Sequence, residues 1–190
     1  MSSNEMPEFF RRNISTLREL SKDDSNEKEI HYMTESEIEA VDFDVVKTKY
    51  ANELGLSEEV AKSVDALLYK SEQITFIEFK NGKMNNQKNN VKDKIKDSLL
   101  IFCEITGKTI ADTRKETDMI LVYNEKKNLN AKKVAKDEVQ RANSLTTIAK
   151  HCMRKGNQEF ILFGLEKFKT LYFRKVHTYT EKEFEKFLIG

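Results

Sequence analysis

Asp65, Glu78 and Lys80 are the residues whose types and spacing could do chemistry. The two carboxylates offer hard oxygen ligands of the kind that bind Mg²⁺ or Mn²⁺. A bound metal of this kind lowers the pKa of a water molecule and neutralises charge that develops on a phosphoryl group. A lysine beside it could orient or help deprotonate that water, or stabilise the pentavalent state. Together, the three side chains would suit hydrolysis of a phosphodiester.

The segment Gln73–Lys80 holds two of these residues, and its β-branched and aromatic composition predicts a strand. Alternate residues of a strand point to one face, so Glu78 and Lys80 share a face with Phe76. The residues between them point to the other face. A charged residue inside an apolar strand is costly unless it has a partner.

A second predicted strand, Ser63–Tyr69, precedes the first and is joined to it by a turn short enough for a hairpin. A register symmetric about that turn places Asp65 opposite Glu78. Two facing carboxylates repel each other, so a cation between them is expected, either Lys80 or a divalent metal. A slip of one residue would put the two acids on opposite faces of the sheet.

Val64-Asp65, followed 13 residues later by Glu78-Phe79-Lys80, resembles the motif of the PD-(D/E)XK nuclease superfamily, with Val64 in the place of the motif's proline. The resemblance covers roughly residues 60–125. The further elements that match the family's core are a possible first helix at Glu35–Leu54, an amphipathic helix at Val91–Cys103 and a buried strand at Asp118–Tyr123. No clear first core strand is visible before Ser63.

The resemblance implies an α/β fold with a restriction-endonuclease-like core, in which helices flank a mixed central β-sheet. It implies a nuclease that acts on DNA with Mg²⁺ or Mn²⁺. Asp65, Glu78 and Lys80 would be catalytic, and the metal would bind Asp65, Glu78 and the backbone carbonyl of Phe79. Cleavage of both strands needs two sites, so the resemblance also favours a homodimer.

Other interpretations of the same residues stay open. Glu-x-Lys is common in charged proteins, and a second copy stands at Glu125–Lys127 without a paired acid upstream. The acids and Lys80 could form a structural ion pair in a catalytically inactive module of the same fold that binds nucleic acid or protein. A third possibility is a structural protein whose acidic first third docks a basic partner.

Lysines and arginines after residue 80 are candidates for contact with a phosphate backbone, although ordinary solvation explains them equally well. The candidates are Lys83, Lys88, Lys92, Lys94 and, on a predicted long helix Ala131–Met153, Lys132, Lys136, Lys150 and Arg154. Lys94 and Asp97 could also reach the proposed cleft. Glu39 or Glu53 could supply an outer carboxylate.

The chain has 190 residues, which predicts a single domain. Residues 1–60 form an acidic, largely helical part with 7 Lys/Arg and 15 Asp/Glu, and residues 61–125 form the nuclease-like core. Residues 126–190 hold the long helix, two strands and a last helix. The remaining predicted elements are a helix at Pro7–Ser21, strands at Phe160–Leu165 and Thr170–Thr178, and a capping box at Thr180–Glu183 that opens the last helix.

Several function classes find no support in the sequence. It has no apolar run long enough to span a membrane and no secretory signal, which predicts a cytoplasmic protein without a membrane partner. Its two cysteines, Cys103 and Cys152, are far apart and read as reduced thiols. No glycine-rich phosphate loop and no zinc-like spacing is present.

Overall fold

The computed structural model describes residues 6–25, 29–70, 73–134 and 160–190. A six-stranded sheet forms its centre, and helices pack on both faces of this sheet. The fold is therefore α/β with a mixed central sheet, as the sequence predicts. Within the described ranges, no helix is long and apolar enough to cross a membrane.

The described residues form eight strands and seven α-helices, besides a helical stretch at 131–134. The strands are β1 (Ile14–Thr16), β2 (Lys22–Asp23), β3 (His31–Tyr32), β4 (Glu39–Asp42), β5 (Ala66–Lys70), β6 (Gln73–Lys80), β7 (Thr117–Tyr123) and β8 (Lys175–Thr180). The α-helices are α1 (Glu8–Arg11), α2 (Leu17–Leu20), α3 (Phe43–Glu53), α4 (Lys88–Thr106), α5 (Ile110–Glu116), α6 (Glu166–Leu171) and α7 (Glu181–Ile189). Short 3₁₀ turns lie at Glu58–Val60, Met84–Asn86 and Lys126–Asn128.

The central sheet has the strand order β1-β4-β5-β6-β7-β8, and β2 pairs with β3 in a separate ribbon. Neighbours from β1 to β6 are antiparallel, whereas β6, β7 and β8 run parallel. The change of direction needs a crossover, and α4 and α5 supply it between β6 and β7. The carboxyl ends of β6 and β7 therefore meet at one edge of the sheet.

The predicted hairpin forms in the predicted register. Tyr69 pairs with Ile74 and Ala66 pairs with Ile77, so the same register continued by one residue puts Asp65 opposite Glu78. Strand β6 has the predicted bounds, while β5 begins at Ala66 rather than Ser63. Most of β6 is buried on both faces, which explains its nearly continuous apolar run.

Two apolar cores lie on opposite faces of the sheet. Phe76 and its neighbours on one face pack against α3 and α4. Ile77 and Phe79, on the other face, pack against Leu17 of α2 and Phe184 of α7. The alternation along β6 thus places Glu78 on the α4 side of the sheet.

Helix α4 also fixes the chain just before β5. Its Ser98 hydroxyl accepts a hydrogen bond from the backbone N–H of Val64 at 2.8 Å, and Asp97 accepts one from the N–H of Lys62 at 2.9 Å. Asp97 is thereby used in positioning the chain and does not line the cleft beside Asp65. The helix is longer than predicted and ends at Gly107, whose φ of +68° suits a glycine.

The substitution Ser98→Ala is expected to lower the free energy of unfolding by about 1–3 kcal/mol, because it leaves the buried N–H of Val64 without an acceptor. Urea denaturation of the two proteins measures the difference. Leu100→Ala, at an exposed position of the same helix, is the matched control. Equal stability of Ser98→Ala and the unmodified chain would contradict this role of α4.

The predicted helices of the first 60 residues are partly wrong. Pro7–Ser21 forms α1, β1 and α2 instead of one helix, because Ile14–Thr16 pairs with β4. Glu35–Leu54 begins with strand β4, and only its second part is helical, from α3 onward. Asp42 caps α3 by accepting a hydrogen bond from Val45 N–H at 3.0 Å. Strand β4, paired with β5, is the strand before Ser63 that the sequence does not reveal.

The C-terminal predictions also need correction. Phe160–Leu165 forms a turn instead of a strand, with Phe163 at φ +61° and Gly164 at φ +70°. The last strand is Lys175–Thr180, preceded by α6. The capping box at Thr180 is confirmed. Residues 131–134 are helical, and the rest of the predicted long helix lies outside the described residues.

Candidate functional site

Asp65 and Glu78 converge on one cation, and that cation is the ammonium group of Lys94. Lys94 Nζ lies 3.1 Å from Asp65 Oδ1 and 2.9 Å from Glu78 Oε1. It also donates a hydrogen bond to Glu78 Oε2 at 3.0 Å. Helix α4 positions Lys94 beside the two acids. Lys94 lies one helical turn before Ser98, and Ser98 is hydrogen-bonded to Val64, the residue before Asp65. A cation between the facing acids is therefore confirmed.

The identity of that cation corrects the sequence interpretation. Lys80 was one of the two candidates for the bridging position, but Lys94 occupies it. Lys80 lines the adjacent cleft together with Asp65 and Lys94, and its positive charge acts on Glu78. Within the described part of the chain, Lys80 has no carboxylate within ion-pair distance. Its ammonium group is thus uncommitted in the cleft, whereas that of Lys94 is held by two acids.

The Asp65 carboxylate is held in place by the next strand. Its Oδ2 accepts a hydrogen bond from the backbone N–H of Phe79 at 2.5 Å. On the opposite side of β6, the carbonyl of Lys80 accepts a bond from Asn124 N–H. Since the N–H and C=O of one strand residue point to the same side, the Phe79 carbonyl faces the Asp65 side. The carbonyl predicted as a metal ligand therefore lies on the side of β6 that faces Asp65.

Burial dominates the electrostatics of this site. The side chain of Glu78 is fully buried, while those of Asp65 and Lys94 are 17% and 20% exposed. Burial and, secondarily, the charge of Asp65 hold the pKa of Glu78 well above its ordinary value. Burial also raises the pKa of Asp65. Burial alone would lower the pKa of Lys94, but the two carboxylates outweigh it and the pKa is raised.

One oxygen of Glu78 is left without a hydrogen bond. Oε1 is buried and, among the described residues, accepts none, although the ammonium of Lys94 lies close to it. A single ammonium thus faces two carboxylates, and its donors do not satisfy all of their oxygens. Oε1 therefore depends on the nearby ammonium of Lys94 for electrostatic compensation.

The oxygen atoms available at this site are of the kind that binds a hard divalent cation. Two carboxylates and a backbone carbonyl, all oxygen, are the ligands that Mg²⁺ and Mn²⁺ prefer. The shared position between Asp65 and Glu78 already holds a positive charge, and Glu78 Oε1 has a lone pair to give. In the described ranges, no group of three or more His, Cys, Asp or Glu side chains could hold a metal. The protein therefore offers few ligands, and water and substrate would complete the coordination of a bound metal.

The cleft next to these residues has a volume of about 450 Å³. Its lining includes four lysines and two aspartates, namely Lys22, Lys80, Lys83, Lys94, Asp23 and Asp65. The fully buried side chain of Glu78 does not line it. A phosphate group in this cleft would meet more lysines than acids.

Asp44 is a nearby carboxylate that the sequence interpretation missed. It stands in the first turn of α3, hydrogen-bonds the Ser63 hydroxyl, and raises the pKa values of both Asp65 and Lys94 through its charge. The predicted outer carboxylates, Glu39 and Glu53, do not line the cleft. The signal available in sequence was Asp42 as a helix cap, which places Asp44 at the start of α3.

The lysines and the arginine predicted to contact a phosphate backbone divide into four groups. Lys83 lines the cleft, and Lys83 and Lys88 both line a second, adjacent cavity. Lys94 is bound in the acid pair, and Lys132 pairs with Glu183 at 2.7 Å. Lys92 lies against Gly164, where an added Cβ would be 3.1 Å from its Nζ. Lys136, Lys150 and Arg154 lie outside the described residues.

The substitution Glu78→Gln is expected to reduce the pH dependence of stability. Because the pKa of Glu78 is raised on folding, the folded protein holds a proton that the unfolded chain releases above the ordinary Glu pKa of 4.5. Stability therefore falls as pH rises from that value toward the raised one. The amide cannot titrate, so in EDTA the free energy of unfolding of the variant should fall less as the pH rises above about 5.

Urea denaturation across this pH series measures the effect. Glu104→Gln, at an exposed position of α4, is the control and should keep the slope of the unmodified protein. An unchanged slope in Glu78→Gln would contradict the raised pKa.

Comparison of the chain with protein-family models, curated proteins and solved structures found no match. The likeness to PD-(D/E)XK nucleases therefore depends on Asp65, Glu78, Lys80 and the arrangement of the elements that carry them.

Proposed function

We propose that this chain is a metal-dependent phosphodiesterase of the PD-(D/E)XK type that hydrolyses DNA. The observation that carries the proposal is the convergence of Asp65 and Glu78 on one cation position at a cleft that also holds the free ammonium group of Lys80. A purely structural ion pair would not need the additional charge of Lys80 beside it. Groups with strongly raised pKa values in a cleft are typical of functional sites.

The arrangement of strands supports a restriction-endonuclease-like core. Strands β4, β5 and β6 form an antiparallel meander, α4 crosses over, and β7 returns parallel to β6. Helix α3 and helix α4 pack on the face that holds Glu78. This order places the Asp65 segment and the Glu78-Phe79-Lys80 segment on neighbouring strands, as the family motif requires.

Each residue has a distinct task in the proposed reaction. Asp65, Glu78 and the Phe79 carbonyl would bind Mg²⁺ or Mn²⁺, which when bound supplies an activated water and charge neutralisation. Lys80 would orient that water or stabilise the charge that develops on the scissile phosphate. Phe79 N–H fixes the rotamer of Asp65. Lys94 neutralises the acids of the metal-free protein, and its ammonium would have to leave the position between them.

The position of Lys94 also favours a second candidate. An ammonium that already neutralises both acids is what a catalytically inactive module of this fold would need for stability. Such a module would bind nucleic acid through its lysines without cutting it. The two candidates differ in whether a divalent cation can replace Lys94.

A cleavage assay separates them. Supercoiled plasmid is incubated with the protein in Mg²⁺, in Mn²⁺ and in EDTA, and the conversion to nicked or linear DNA is followed on a gel. We expect cleavage only with a divalent cation, its loss in Asp65→Asn, and full activity in the control Glu104→Gln. Retention of plasmid without cleavage under any metal would favour the binding module.

A further inference from the structure

A second cavity adjoins the cleft and is strongly basic. Its volume is about 520 Å³, within the range of small-ligand sites. Four lysines line it, Lys83, Lys88, Lys126 and Lys127, and among the described lining residues none is acidic. In the described part of the chain, these four lysines form no ion pair with a carboxylate. The charge of Lys127 also acts on Asp23, but four ammonium groups without an ion pair around one cavity still attract an anion with several charges.

The cavity and the proposed catalytic cleft share one lining residue. Lys83 lines both of them. One wall follows the chain after β6 and the start of α4, and the other follows the chain after β7. Because these are the carboxyl ends of neighbouring parallel strands, both walls stand at the same edge of the sheet as Lys80.

Asparagine side chains hold the two walls together. Asn128 donates to the carbonyl of Gly82 at 3.1 Å and accepts from Met84 N–H at 2.9 Å, which joins the chain after β7 to the chain after β6. Asn124 donates to Asn81 at 2.7 Å. A cavity whose walls are fixed in this way loses little entropy when a ligand binds.

The third wall carries backbone strain. Phe163 has a φ of +61°, which is uncommon for an aromatic residue, and Gly164 follows at +70°. The ring of Phe163 packs edge-on against Tyr123 at 5.2 Å between centroids. Such strain is kept where the surroundings over-determine it, and it is frequent at ligand sites. Leu129, 76% exposed, adds an apolar surface at the rim.

We infer that this cavity binds a single-stranded segment of the nucleic acid whose scissile phosphate lies in the cleft, an inference that rests on the proposed function. The lysines would contact the phosphates that flank the scissile one, and Phe163 and Leu129 would contact a base or sugar. Basic grooves with apolar or aromatic contacts are the usual way of binding unpaired strands. A concave cavity of this size accepts one backbone, whereas a duplex would need a wider surface.

The test measures binding in EDTA, so that it does not depend on hydrolysis. Fluorescence anisotropy follows a labelled 12-nucleotide oligo(dT) and the same strand as a duplex, with the unmodified protein and with K126Q/K127Q. The control K167Q/K169Q removes the same charge from exposed positions of α6. Thermal melting confirms that both variants fold.

We expect K126Q/K127Q to weaken binding of the single strand at least tenfold at low salt. The logarithm of the association constant falls with the logarithm of the salt concentration. Its slope should become less steep by about 1.4, since each single-strand phosphate contact contributes about 0.7. The control should change the affinity less than twofold. Equal losses in both variants, or tighter binding of the duplex than of the single strand, would overturn the inference. If the unmodified protein never cleaves DNA but K126Q/K127Q still loses single-strand binding, the binding role of the cavity would stand and the proposed nuclease activity would be rejected.

Discussion

Replacing Lys94 with methionine is expected to lower the free energy of unfolding in EDTA by about 3 kcal/mol at a pH above the raised pKa of Glu78, because both acids are then ionised and removal of their cation leaves buried charge uncompensated. Glu78 is fully buried and Lys94 is the cation that contacts both acids. Methionine keeps most of the side-chain volume of lysine, so the loss of stability comes from the missing charge and not from changed packing. For a chain of this length the melting temperature should fall by roughly 6–12 °C.

The control for this experiment is Lys96→Met. Lys96 lies on the same helix, is exposed and, among the described residues, pairs only with Asp93, at 3.3 Å. Its replacement should change stability by no more than about 0.5 kcal/mol. Addition of Mg²⁺ should restore more stability to Lys94→Met than to the unmodified protein, since the ammonium no longer competes for the acids. Equal losses in the two variants would show that Lys94 is not the neutralising cation.

Replacing Lys80 with methionine is expected to lower the cleavage rate at least about 100-fold, within the range for a side chain that positions or deprotonates the nucleophile. Lys80 has no ion-pair partner in the described part of the chain, so its loss should cost little stability. Metal affinity should also be kept, because Asp65 and Glu78 are intact. Single-turnover cleavage with saturating Mg²⁺ measures the rate.

The matched control is Lys70→Met, at the exposed far end of the same hairpin. It should cleave at the unmodified rate. If Lys80→Met keeps full activity, the assignment of the catalytic lysine is wrong. If folded Lys94→Met loses cleavage activity and Lys80→Met does not, the catalytic lysine is Lys94 of α4.

The hairpin could be predicted from sequence because local signals determine it. The apolar run of Gln73–Lys80 and the short turn before it fix both the strand and its register. The side of the sheet on which Glu78 lies follows from the alternation along β6. The meeting of Asp65 with Glu78 is thus encoded within 14 residues of chain.

The partner of these acids could not be predicted in the same way. Whether Lys80 or Lys94 lies between them depends on how α4 packs across the sheet, and Ser98 and Val64 fix that packing. Sequence periodicity gives the buried stripe of α4 but not the point on the sheet that each turn covers. The same reasoning applies to Asp44, which comes near Asp65 only because α3 starts where β4 ends.

The short strand β4 was missed for a related reason. Ala40 and Val41 are both buried, one in each core, so the segment shows no alternation of apolar and polar residues. Its helix-like spacing continues into α3. Pairing with β1 and β5 therefore decides its structure, and tertiary contacts override the local pattern.

The most direct measurement is a Mn²⁺ titration followed by electron paramagnetic resonance of the free ion. We expect that one Mn²⁺ binds per chain, that Asp65→Asn abolishes this binding, and that Lys94→Met strengthens it. Folding of each variant is checked by circular dichroism. Failure of the folded, unmodified protein to bind Mn²⁺ at millimolar concentration, or equal binding by Asp65→Asn, would contradict the claim that these two carboxylates form a metal site.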